Sequence, residues 1–183
     1  TPATRNARAG CPGPSGRAAE AITAFEQLLA DRTRVLGPDA PDTLSTRSNL
    51  AWSLAESGRV DEAITAFEEL LADRTRVQGA DAPQTLFTRS NLAGSLGRSG
   101  RVAEAITAFE QLLTDQSRVL GPDTPQTLFT RSNLASLLAE SGRLAEAITA
   151  FEQLLADQSR VLGPDAPQTL TTRSNLDWLN QRI

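Results

Sequence analysis

The chain has 183 residues, 18 cationic side chains that are all arginine, 22 acidic ones, a net charge of −4, no His, Met or Tyr, and one Cys. Without imidazole, lysine amine or a second thiol it lacks the usual bases, amine nucleophiles, zinc ligands and internal disulfides, so no enzyme activity, cofactor or metal is expected. The acidic balance argues against nucleic acid as a partner, and no apolar run is long enough for a bilayer span or signal peptide, so a soluble, cytoplasmic protein with no membrane partner is expected.

Only 39% of the residues are hydrophobic and 4% aromatic, which suits many thin contacts in an elongated shape better than one thick core. The sequence supplies the reason. Ala-Ile-Thr-Ala-Phe-Glu begins at Ala21, Ala63, Ala105 and Ala147, and Thr-Arg-Ser-Asn-Leu begins at Thr46, Thr88, Thr130 and Thr172, each with a step of 42 residues. A period unbroken by insertion predicts one supersecondary unit stacked on copies of itself. The lack of any Met, even at the first residue, predicts a piece of a longer or processed product.

In chain order, residues 1–15 keep the register of the repeat, but Arg8, Cys11, Pro12 and Pro14 stand at apolar or mid-helix places. Proline there removes an amide donor and clashes with the preceding turn, so an irregular segment with Cys11 as an incidental thiol is predicted. The array itself is assigned to residues 16–183, beginning with a second-helix remnant over 16–37. A full unit follows over 38–79. Asp39-Ala40-Pro41-Asp42 is expected to open its first helix, with Asp39 as an acidic cap, Pro in the first turn and a side chain three residues on that reaches back. That helix should run to about Ser57, where Gly58 suits a left-handed C-terminal residue. A second helix starts near Val60 with Val60, Ala63, Ile64, Phe67, Leu70 and Leu71 at three-and-four spacing, and Gly-Pro ends the equivalent helices. Further units occupy 80–121 and 122–163, and an unpaired capping helix occupies 164–183. At Gly79-Ala80 the proline is missing and Gln78 replaces leucine, which predicts a looser corner.

Leu50-Ala51-x-x-Leu54 followed by Ala63-x-x-x-Phe67, with equivalents at Leu92, Ala93, Leu96, Ala105 and Phe109 and again at Leu134, Ala135, Leu138, Ala147 and Phe151, resembles the tetratricopeptide repeat. The common unit of that family has 34 residues, and the surplus of eight falls after Phe67, adding about 12 Å to the second helix. The 42-residue form is similar to the kinesin-light-chain type, which also occurs in bacterial multidomain regulators. The resemblance implies an all-α, right-handed α–α superhelix of antiparallel helical hairpins that binds a protein or peptide in its concave groove. The alternative is a structural spacer or self-association scaffold within a larger bacterial regulatory protein.

Candidate groove residues come from comparing the units. Asn49, Asn91 and Asn133 do not vary, and an amide can hold the backbone of an extended peptide or bond to a neighbouring helix. Ser45, Phe87 and Phe129 form a varying row, as do Trp52, Gly94 and Ser136, and Glu56, Arg98 and Glu140. Their variation suits selectivity, or simple drift at exposed places. Trp52 is either a binding anchor or a filler of the space left by Gly94, and Phe87 and Phe129 are expected to pack against a helix end. Arg47, Arg89 and Arg131 replace the large aromatic of the family. They are read either as inter-helix ion pairs, to Asp73 or Glu68 and their copies, or as a cationic ladder for an acidic ligand. Arg32, Arg34, Arg74 and Arg76 are expected to complement helix dipoles at C-termini. Glu68 and Glu69 are expected to be a solvated face.

Overall fold

The computed structural model describes residues 14–182; of the segment expected to be irregular over 1–15, residues 1–13 lie outside them, while Pro14 and Ser15 already belong to the first helix, proline being tolerated in a first turn. Helix α1 runs over Pro14–Leu36, α2 over Pro41–Glu56, α3 over Val60–Gln78, α4 over Pro83–Arg98, α5 over Val102–Val119, α6 over Pro125–Glu140, α7 over Leu144–Val161 and α8 over Pro167–Asn180. No strand occurs among the described residues, and none of their helices is long and apolar enough to cross a membrane. Consecutive helices pack on one another throughout, giving a superhelical stack of hairpins. In addition α2 meets α4 and α4 meets α6, with no comparable contacts among α3, α5 and α7. Helices α2, α4, α6 and α8 are therefore the inner, concave layer, and the longer α1, α3, α5 and α7 the outer one.

Glycine fixes the corners. Gly58, Gly100 and Gly142 take φ of 87°, 82° and 82° just after the inner helices, a region that costs an L side chain about 1 kcal/mol or more. The Gly79-Ala80 corner keeps the same kind of glycine, φ 90°, despite its missing proline.

The cap differs from expectation. The residue flanking each inner helix is Ala40, Ala82, Thr124 or Ala166, with Pro in the first turn, and only Thr124 accepts a side-chain cap bond, from the Thr127 amide at 3.5 Å. Asp39, Asp81 and Asp123 lie one residue too early and are taken by stronger partners. Arg76 donates to both Asp39 oxygens at 2.6 and 3.0 Å, Arg118 to Asp81 at 2.7 and 3.0 Å, and Arg160 to Asp123 at 2.8 Å. A charge-assisted pair of bonds outcompetes one amide.

The core is a thin continuous strip. Leu44, Ala51, Leu54, Ala63, Phe67 and Leu70 bury together around α2 and α3; a second run extends from Ile64 through Phe109 and Phe151 to Leu179, and Leu92 touches both. Ala51, Ala93 and Ala135 are fully buried, which is where the small residue lets paired helices approach.

The arginines replacing the aromatic are ion-paired. Arg47 donates to Asp73 at 2.6 Å, Arg89 to Asp115 at 2.7 Å and Arg131 to Asp157 at 2.7 Å, each from an inner helix to its outer partner. Of the expected carboxylates it is Asp73, not Glu68, that is used. The same aspartates also accept from Arg76, Arg118 and Arg160, so every full hairpin carries a linear four-residue ion-pair chain such as Asp39–Arg76–Asp73–Arg47. The guanidinium of Arg47 beside Asp73, and of Arg89 beside Asp115, holds each carboxyl below the usual range.

Arg74 corrects another expectation. It is 2% exposed and donates to Thr88 Oγ1 and Gln84 O at 2.7 Å and to Leu44 O at 3.4 Å, joining two hairpins instead of answering its own helix dipole. Arg32 does the same with Thr46 Oγ1 and the Asp42 carbonyl, at 2.7 and 2.9 Å. Both side chains turn towards the next inner helix, where carbonyl and hydroxyl oxygens stand ready.

Candidate functional site

Side chains on the inner helices that do not pack between layers face the concave side. Trp52, Asn91, Gly94, Arg98, Phe129, Asn133, Ser136 and Glu140 line one hollow of about 490 Å³ across α2, α4 and α6. The structure thus brings together eight residues from the four expected rows. It leaves others out: Asn49, Ser45 and Phe87 are exposed and do not line that hollow, and Glu56 stands at its rim, bonded to Arg98 at 2.5 Å.

The hollow exists because its middle is small. A side chain built on Gly94 would meet nothing within 4 Å, and Trp52 keeps 54% of its surface exposed, so the indole does not fill the space above that glycine. Phe87 and Phe129 are 54% and 61% exposed, a correction to the expected packing against a helix end. Each lies early in its inner helix on the face turned from the outer layer, where no neighbour covers the ring. Phe67 and Phe109 from the outer layer form part of the floor, with Ser90, Ser95, Gly97 and Leu137 beside them. Those residues belong to packing rows and did not stand out as groove residues in the sequence, since only the curved surface shows which part of the packed layer underlies the hollow.

Asn91 and Asn133 line the hollow half-buried, and among the described residues their amides bond to no other group of the chain, unlike Ser136, which donates to the Ser132 carbonyl at 3.0 Å. The expected alternative, a bond to a neighbouring helix, is not formed. Each amide offers two donors and an acceptor to whatever enters.

A second hollow of about 450 Å³ follows between α6 and α8, sharing Ser136 and Glu140 with the first and adding Asn175, Trp178 and Arg182. Arg182 is the fourth member of the row Glu56, Arg98, Glu140 at the same 42-residue step, and the step alone was the signal for it. Among the described residues no three acidic or thiol side chains gather as a metal site.

The comparisons agree with this geometry. The tetratricopeptide repeat profile matches residues 3–76, 53–116, 84–157 and 130–183. No curated protein sequence matches the chain. Among solved structures, a Podospora anserina protein described as a kinesin light chain with nearly identical TPR-like repeats is 27% identical, with TM-score 0.77 over 91% of this chain and 79% of that one. BtubC (BKLC) from P. vanneervenii, at 17% identity, gives TM-score 0.70 over 92% and 65% of the respective chains. A Rap protein complexed with competence and sporulation factor, at 13% identity, gives 0.66 over 89% and 48%. These last two show the fold alone. The repeat is typically a protein–protein interaction module, and with overlapping matches along almost its whole length this chain belongs to the tetratricopeptide repeat family, in its kinesin-light-chain-like form.

Proposed function

We propose that the concave face binds an extended segment of a partner protein and does no chemistry on it. The observation that carries this reading is the unfilled hollow of about 490 Å³ with two unbonded amides on its wall. Asn91 and Asn133 would hold the ligand backbone, while Phe129, Trp52, Ser136 and the charged row Arg98 and Glu140 would choose its side chains; Ser45, Phe87, Asn49 and Glu56 extend the same surface outward. The Rap protein, a fold relative, is complexed with competence and sporulation factor, which is a precedent for ligand capture by this architecture. Binding of a random peptide library to the wild type and to Asn91→Ala tests it. Selected peptides should weaken about five- to tenfold against the variant, as expected for one or two lost hydrogen bonds. A library that yields no binder, or binders indifferent to the substitution, defeats the reading.

A further inference from the structure

Arg98 and Arg182 occupy equivalent places 84 residues apart, yet they do different things. Arg98 reaches back one repeat to Glu56 at 2.5 Å. Arg182 has the equivalent Glu140 one repeat behind it but makes no ion pair among the described residues; its guanidinium carbon stands 3.7 Å from the centroid of the Trp178 ring. Two things differ: Arg98 is the last residue of α4 whereas Arg182 lies just past the end of α8, and four residues upstream Arg98 finds Gly94 while Arg182 finds Trp178, whose indole face attracts a cation. Glu140 is thereby left as a carboxylate with no cationic partner in the described residues, on the wall of the hollow that Trp178 and Arg182 also line.

We propose that this second hollow is the subsite for an arginine or lysine side chain of the bound partner, held between the Trp178 ring and the Glu140 carboxylate, with Arg182 the internal stand-in that it displaces. The proposal rests on the groove reading above and names the chemistry of one of its pockets. Arg182 satisfies the ring alone. A cation entering from the ligand can satisfy ring and carboxylate together, while the displaced Arg182 returns to water, where a guanidinium is well solvated. Leu144, Phe151 and Leu179 give the hollow an apolar floor that suits the methylene stem of such a side chain. A neutral side chain could pack on the ring but would leave Glu140 without a cation, and an acidic one would be repelled by it.

The probe is acetyl-Arg-Arg-Arg-amide, with acetyl-tricitrulline-amide as its neutral isostere, followed by the indole N–H resonance of Trp178 in full-length protein, assigned with Trp52→Phe. The arginine peptide should shift that resonance and the citrulline peptide should not. Glu140→Gln should weaken the arginine peptide about threefold or more, Arg182→Ala should tighten it about twofold or more, and the control Glu68→Gln on the outer layer should leave it unchanged. Equal shifts from both peptides, equal effects of Glu140→Gln and Glu68→Gln, or weaker binding to Arg182→Ala would overturn the proposal. Library peptides that depend on Asn91 but ignore Glu140→Gln would sink this subsite while leaving the groove reading intact.

Discussion

Arg74 and Thr88 are bonded at 2.7 Å across the boundary between two hairpins, and the cation in that bond is buried with no carboxylate beside it. Burial lowers the pKa of the guanidinium, with the charge of Arg47 acting in the same direction, and its Nε has no partner. Buried unpaired charge is costly unless hydrogen bonds compensate, and here the oxygens of Gln84, Thr88 and Leu44 do so.

The protein contains its own control for this site. Gln116 and Gln158 hold the equivalent place and are equally buried, at 3% exposure. Arg74→Gln should therefore change unfolding free energy by no more than about 1 kcal/mol in urea, in either direction. Arg74→Ala, which leaves a cavity where glutamine fills the space, should cost about 2–4 kcal/mol. Equal losses from the two variants would mean that the charge itself is required.

The aspartates at the hairpin staples make stability acid-sensitive. Asp73, Asp115 and Asp157 each accept from two arginines and titrate below the ordinary aspartate value of about 3.9, chiefly through the hydrogen bonds from Arg47, Arg89 and Arg131. Because the folded-state values are depressed, the stabilisation is complete above about pH 5 and is lost as pH falls through about 4 and below. Unfolding midpoints from pH 7 to pH 2 should show that decline. Asp115→Asn should be less stable at pH 7 and have a shallower decline; parallel curves for variant and wild type would contradict the assignment.

Two sequence differences on neighbouring inner helices are coupled. Leu137 stands where earlier units have Ser53 and Ser95, and Gly97 stands where the flanking units have Ala55 and Ala139. A methyl on Gly97 would come 3.0 Å from Leu137 Cδ2, so the larger leucine uses the room the glycine leaves. Alanine is favoured over glycine within a helix by about 1 kcal/mol. Gly97→Ala should thus be near neutral in the wild type, where Leu137 must shift, and stabilising by about 1 kcal/mol in a Leu137→Ala background. A double-mutant cycle should give a coupling of about 0.5–1 kcal/mol, and strict additivity would show the contact to be irrelevant.

These cases mark what could be read from the chain alone. The period, the helix limits at Pro41, Gly58 and Val60 and the pairing of Arg47 with Asp73 were legible, because the first is written as repeated segments, local backbone chemistry sets the second and antiparallel packing within a single hairpin sets the third. The role of Asp39 was not, since capping is a local inference and its partner Arg76 lies 37 residues later. Nor was the burial of Arg74, which depends on the next unit closing over it. Of the candidate site, the rows were visible as variation at fixed steps. The hollow itself, and Phe67 and Phe109 in its floor, depend on how far the curvature opens the inner layer, which no single-unit pattern encodes.

The invariant asparagines separate a structural from a binding role most cleanly. A residue kept for the fold should cost stability when removed, yet the amides of Asn91 and Asn133 bond to nothing else in the described chain, and each sits within a helix where alanine is the better helix former. Asn91→Ala and Asn133→Ala should therefore shift unfolding free energy by no more than about 0.5 kcal/mol, and upward if at all. Thermal and urea unfolding of both variants measure this directly. A loss beyond about 1.5 kcal/mol would show that the amides support the fold, and would remove the reason for placing a ligand backbone against them.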